Sequence, residues 1–294
     1  PQSVPVRIGL SLTVGGFMKT KLSTKRGSLQ IPRSNLPYYG QTIGIIMLDV
    51  DSVQESDDPD VTGGESLELE GFTRVPGDVG NASSFGFSVQ YKLVRDISVN
   101  DVVTKQPTEK GIAAMVDAAQ ALEREGVRAI AMTCGLFSVF QTVLSEAVEI
   151  PVLSSALQQV PIVSMMIGSH RKVGIMTASS DILTEQHLSA VGINSSTPYV
   201  LWGANERPPE ETVWIFDELD PERRVQRLEK QLSLSAQRML EAHPDIGAIV
   251  LECTNMPPAG MAIQQATGLP VFDVISLIKW AHLGVSKQRY SGVM

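Results

Sequence analysis

The chain has 294 residues, with 32 acidic and 24 basic side chains, a net charge of -8 and a pI near 5.1. That balance argues against non-specific attraction to nucleic acid or to an anionic membrane, while leaving room for a small anionic substrate in a locally positive site. Hydrophobic content of 43% suffices for an ordinary core, no run approaches the roughly 20 apolar residues of a bilayer span, and two cysteines are too few for a disulfide scaffold.

Residues 1–40 read as an N-terminal arm. Arg7, Lys19, Lys21, Lys25, Arg26 and Arg33 stand there without a single acid. Transit peptides share that bias, but a basic arm packed on the domain or on a neighbouring subunit is the preferred reading. The N-terminal apolar patches are short and broken by Gly and Lys, so no secretory signal is expected. A reducing, cytoplasmic location is.

From residue 41 strands and helices alternate. "QTIGIIMLDV" (41–50) is a β-branched run that reads as a buried strand. Residues 50–70 carry eight acids and no Lys or Arg, which fits an exposed insertion. "GFTRVPGDVGN" (71–81) is rich in turn formers, and "FSVQYKLV" (87–94) is a strand. Residues 108–125 place Ile112, Met115, Val116, Ala119 and Leu122 on one helical face, with Gly126 as a stop. A strand at 127–134, a helix at 138–147 and a strand at 150–155 follow. The pattern restarts with a strand at 171–180, a helix at 181–190 and a strand at 197–203. Asp220-Pro221-Glu222 is a strong helix start, because it offers an N-cap, a proline at the first helical position and an acid at the positive helix end. Val225, Leu228, Leu232, Met239 and Leu240 are expected to face inward from that helix. A strand at 246–253, a helix, a strand at 269–274 and a last helix complete the chain. Such alternation predicts an α/β fold with parallel sheets covered by helices.

The chain also repeats itself. An offset of 119 residues places Cys134 on Cys253, Ala129-Ile130 on Ala248-Ile249, and Pro151-Val152 on Pro270-Val271. "IGIIM" (43–47) and "VGIMT" (173–177) are similar first strands. Two pseudo-symmetric, Rossmann-like lobes with parallel sheets are expected, with the active site in the cleft between them. The first lobe covers 41–160 and is completed by a C-terminal helix within 270–294; the second covers 161–269.

In open α/β sheets ligands bind beyond the carboxyl ends of the strands, and both cysteines fall there. Each is expected just ahead of a helix, where backbone N–H groups would lower a thiol pKa and bind a carboxylate. Opposed thiols suit proton exchange at a carbon, one removing a proton and the other returning one. A buried cysteine serving as core filler is the bland reading for either alone, and it weakens for two at equivalent positions. The four histidines show no metal-ligand spacing with each other or with either cysteine, so no metal is expected.

Here the chain resembles the aspartate/glutamate/hydantoin racemase superfamily. The resemblance is carried by "IGIIMLD" (43–49), "PGDVGN" (76–81), "TCGLF" (133–137), "VGIMTAS" (173–179) and "VLECTNMPP" (250–258). It covers about residues 41–285. It implies a cofactor-independent racemase, epimerase or isomerase acting on a small amino-acid-like or hydantoin-like carboxylate, with Cys134 and Cys253 as acid/base pair. It further implies that Gly135, Leu136, Thr254 and Asn255 contact the substrate carboxylate, that Thr177 and Ser179 form a second polar cradle, and that Asp49 and Asn81 close the cleft. Family habit alone suggests a homodimer. Rival readings on the same fold are a cis–trans isomerase or decarboxylase of a small dicarboxylate, and a non-catalytic two-lobed binder is the rival from another class. Many relatives carry Asn-Thr after the first cysteine where this chain has Gly135-Leu136, so the Cys134 wall should be the more apolar one.

Other polar residues carry blander expectations. His187 reads as a solvated or capping histidine. Asp78 lies in a Pro-Gly-Asp turn and should bond its own backbone. Glu252 precedes Cys253 on its strand and so points to the opposite face, as a buried partner or sheet-edge group rather than a base.

Overall fold

The computed structural model describes residues 40–48, 74–95, 97, 99–103, 106–204 and 220–292. The N-terminal arm up to residue 39, the acidic stretch at 50–70 and Asp49 lie outside the described residues. Two four-stranded parallel sheets form the frame. The first has the order β2-β1-β3-β4, with β1 at Ile43–Leu48, β2 at Val89–Val94, β3 at Ala129–Met132 and β4 at Val152–Leu153. The second has the order β6-β5-β7-β8, with β5 at Lys172–Thr177, β6 at Tyr199–Gly203, β7 at Ile246–Leu251 and β8 at Val271–Phe272.

The register matches the internal repeat. Ile130 pairs with Val152 in one sheet and Ile249 with Val271 in the other, both related by the same 119-residue offset. The edge strands β4 and β8 are shorter than the apolar runs containing them. β8 belongs to the second sheet, so that lobe extends past residue 269 before the last helix begins.

Alternation along the central strands sorts the core into layers. Ile43, Ile45, Ala129 and Ala131 of the first lobe share one cluster with Val173, Ile175, Ala248 and Val250 of the second. The opposite faces pack separately. Ile130 and Met132 meet Met115, Leu122, Phe137 and Phe140, whereas Ile249 and Leu251 meet Leu228, Leu232 and Met239. The two inner faces thus close on one common core, which holds the carboxyl ends of β3 and β7 in a fixed relation.

Helices α1 (Val99–Val102), α2 (Glu109–Arg124) and α3 (Gln141–Ala147) belong to the first lobe; α4 (Val160–Ile167) leads into the second, with α5 (Glu185–Ser189), α6 (Pro221–Ala242) and α7 (Gly260–Thr267). The last, α8 (Val274–Val285), sinks Val274, Ile275, Leu277, Ile278 and Ala281 into the shared core. His282 of α8 stacks on Phe87 of the first lobe with ring centroids 3.6 Å apart. None of the described helices is long and apolar enough to cross a membrane.

Helix α6 starts where its sequence indicates. Asp220 caps it, accepting a hydrogen bond from the Arg223 amide at 2.9 Å, and Pro221 follows. Leu228, Leu232 and Met239 are buried as expected, while Val225 and Leu240 are only partly covered and Arg224 is buried instead. Asp220→Ala is expected to destabilise the protein by about 1 kcal/mol, read from urea unfolding midpoints at constant m-value.

Candidate active site

The segments following β3 and β7 meet across the two lobes. Thr254 Oγ1 donates a 2.6 Å hydrogen bond to the carbonyl of Thr133. Thr133 is the counterpart of Glu252 under the 119-residue offset, and Thr254 is the counterpart of Gly135. The reciprocal contact therefore falls between Gly135 and Glu252. A Cβ at Gly135 would overlap both the backbone carbonyl oxygen and Oε1 of Glu252. Only glycine fits there. The symmetry is broken in chemistry: one side holds a hydroxyl-to-carbonyl bond, and the other holds a carboxyl group laid over a bare Cα.

Both cysteines are free thiols, partly accessible, and flank this junction. Cys134 ends the segment after β3 and precedes a 3-10 turn at Gly135–Phe140, with α3 beginning only at Gln141. After Cys253 comes a turn, then a 3-10 turn at Pro257–Ala259, and α7 starts at Gly260. Cys134 thus stands just ahead of a helical segment, though a 3-10 one, whereas a turn separates Cys253 from its helix, which corrects the expectation on that side. The backbone N–H groups of Leu136 and Phe137 nevertheless serve Cys134, and that of Asn255 serves Cys253. Asn255 Nδ2 also lies 3.9 Å from Cys253 Sγ.

The electrostatics reverse a second expectation. Burial, followed by the charge of Glu252, pushes both thiols upward, Cys253 to about 12 and Cys134 further. The amides pull the other way and lose. Each thiol also feels a further negative group, Cys253 in the case of Cys134 and Asp78 in the case of Cys253. The thiols therefore belong to one electrostatic unit, and both carry their protons at neutral pH in the unliganded site.

Glu252 is 3% exposed. Alternation past Leu251 turns it toward the other lobe, as its place on the strand required. Its Oε2 accepts a 2.9 Å hydrogen bond from Thr177 Oγ1, and burial pushes its pKa up to about 7. Thr177, expected to cradle substrate, is fully buried and engaged with this carboxyl group. Ser179, also expected in that cradle, is half-buried at the start of a 3-10 turn, and its carbonyl faces Thr177 Oγ1 at 3.4 Å. Leu136 is buried beside Cys134.

A loop of the first lobe walls the Cys253 side. Gly77 has φ +97, and a Cβ there would press on Pro258 of the second lobe at 2.9 Å. Arg74 Nη1 donates to Asp78 Oδ2 at 3.3 Å and to Asn255 Oδ1 at 3.2 Å, bridging the loop to the cysteine segment. Asp78 bonds its own turn, accepting from the Gly80 amide at 2.7 Å, but it is also buried and pushed upward by that burial. Asn81 uses its side chain within the loop, donating to the Arg74 carbonyl at 2.7 Å and accepting from the Ser83 amide at 2.9 Å. Among the described residues no three His, Cys, Asp or Glu side chains gather as a metal site.

His187 caps α5 as expected, its Nδ1 2.8 Å from Thr184 Oγ1, but it is buried rather than solvated. Its Nε2 has no hydrogen-bond partner among the described residues. Burial lowers its pKa from 6.5 to about 4. The unfolded chain thus takes up this proton first, so stability is intact above pH 6.5 and declines as pH falls towards about 4. His187→Gln is expected to flatten that limb, measured as urea midpoints across the same window.

The two-lobed α/β frame carries one thiol at each of two equivalent strand ends. The model of the Asp/Glu/hydantoin racemase family matches residues 88–281, and the chain belongs to that family. Among curated relatives, a dimethylsulfoniopropionate lyase of Durusdinium sp. clade D is 32% identical over 68% of this chain and 67% of its own length. Dimethylsulfoniopropionate lyase 7 of Emiliania huxleyi is 26% identical over 68% of this chain and 60% of its own. Among solved structures, a mutant of arylmalonate decarboxylase in its sulfate ion associated form shares the fold with a TM-score of 0.52 at 16% identity, covering 84% of this chain and 94% of that one.

Proposed function

We propose that the protein is a lyase that takes the α-proton from a small carboxylate and expels a β-sulfonium group, with dimethylsulfoniopropionate as the candidate substrate. The observation that supports the chemistry is the pair of free thiols, Cys134 and Cys253, flanking one inter-lobe junction at equivalent strand ends. The choice of elimination rests on the dimethylsulfoniopropionate lyase relatives.

Cys253 is assigned as the base, because Asn255 supports its anion through both backbone and side chain, whereas the Cys134 side offers amides alone. Its thiolate takes the α-proton, forming S–H as C–H breaks. The electron pair forms the carbon–carbon double bond. The β-carbon–sulfur bond breaks with its pair on sulfur, giving neutral dimethyl sulfide and acrylate. A sulfonium leaves without being protonated, so one base suffices for the bond changes. Cys134 stays protonated and donates to the substrate carboxylate, whose growing negative charge also meets the amides near both thiols. Because Cys253 rests as a thiol, each turnover begins with loss of its proton to solvent, and the α-proton then restores the thiol, so one proton is released in all.

The near symmetry of the thiols supports a second reading, a racemase or epimerase exchanging a proton at the α-carbon. The test is headspace detection of dimethyl sulfide from dimethylsulfoniopropionate, beside optical rotation assays on amino acids and hydantoins. Dimethyl sulfide release with no racemisation is expected. Racemisation of any of these without dimethyl sulfide would overturn the lyase reading.

A further inference from the structure

We propose that Glu252 is the counter-charge for a cationic group on the substrate, so that the site selects a zwitterion with an onium group over a dicarboxylate. The inference rests on the lyase reading only for the sulfonium as the natural onium. Glu252 is buried at the junction of the two lobes, on the side facing Gly135, and the one hydrogen bond to its carboxyl group among the described residues is the hydroxyl of Thr177. A carboxylate held out of water by one neutral donor is costly, and the ordinary remedies are protonation or a nearby cation. The chain has made room for it deliberately in steric terms, since Gly135 carries no Cβ where a side chain would displace the carboxyl group.

The ionisable groups around it sharpen the point. Cys134 and Cys253 are both raised by the Glu252 charge, and Asp78 adds to the effect on Cys253. Arg74, the cation of the neighbouring loop, is engaged with Asp78 and Asn255. The buried Arg224 likewise acts on Asp78, and among the described residues neither arginine offsets the charge of Glu252, whose carboxyl group meets burial and the Thr177 hydroxyl. An onium group brought in with the substrate relieves Glu252 and, by the same field, makes a thiolate easier to form. A second carboxylate would oppose both. Binding and activation of the base are coupled through one carboxyl group.

The experiment measures calorimetric binding of two probes, trimethylammoniopropionate and its tert-butyl isostere, which keeps the carboxylate and lacks only the cation, to the full chain at about pH 8, where Glu252 is ionised. The wild type is expected to favour the onium probe by on the order of tenfold or more, and Glu252→Gln to lose that preference while keeping its affinity for the isostere. A second arm needs no variant: onium affinity in the wild type should weaken by roughly tenfold per pH unit below the Glu252 value, while the anionic isostere should show no such loss. Equal weakening of both probes in Glu252→Gln, or an onium affinity independent of pH, overturns the proposal. Onium preference without dimethyl sulfide release upholds it and sinks the lyase reading. Dimethyl sulfide release with no onium preference does the reverse.

Discussion

Cys253→Ala is expected to lower turnover of dimethylsulfoniopropionate by roughly a thousandfold, the range over which a positioned general base acts. Cys134→Ala should cost roughly a hundredfold, the lower end for a donor to developing negative charge. The asymmetry follows from the surroundings. Asn255 approaches the sulfur of Cys253, whereas Cys134 is flanked by Gly135 and Leu136, which offer amides and no polar side chain. Both variants should keep the wild-type unfolding midpoint within a small margin, because each removes one partly accessible sulfur. Steady-state kinetics on dimethyl sulfide release decide it. Equal losses would point to two interchangeable bases, as in a racemase.

Gly135→Ala is expected to damage both stability and activity. Its Cβ would overlap the Glu252 carboxyl group and the Glu252 backbone carbonyl together. A carboxyl group can swing away, but a carbonyl at the end of β7 moves only with its strand. Overpacking of this kind costs about 1–3 kcal/mol, and shifting the junction by about an ångström costs a further hundredfold in rate. The two cysteines sit on either side of that contact, so it sets their spacing. Chemical denaturation and turnover should fall together, and adding Glu252→Ala should not restore either fully, because the backbone overlap remains.

The frame was legible because it rests on short-range signals. The 119-residue offset that aligns Cys134 with Cys253 also relates the strand pairings Ile130 to Val152 and Ile249 to Val271. Asp220-Pro221 marked the start of α6 through capping chemistry that is local in sequence. The cysteines stood out as a pair for the same reason. What sequence did not yield were properties created by contact across the lobes. The helix-start argument predicted lowered thiol pKa values, yet it omitted burial and the charge of a residue that meets Cys134 only after folding. Glu252 was placed on the right face by alternation, but its partner Gly135 lies far away in the chain. The signal existed as a mismatch: Thr254 offers a hydroxyl at one position of the repeat, and its counterpart Gly135 offers nothing. Thr177 and Asn81 were read as substrate contacts, and both use their side chains in bonds within the protein, to Glu252 and to the Arg74 loop.

The most direct test of the central claim is proton NMR of dimethylsulfoniopropionate incubated with the protein in deuterated water. The account predicts acrylate and dimethyl sulfide in equal amounts, with formation abolished in the Cys134→Ala, Cys253→Ala double variant. Accumulation of α-deuterated substrate without either product, or product formation undiminished in the double variant, would contradict it.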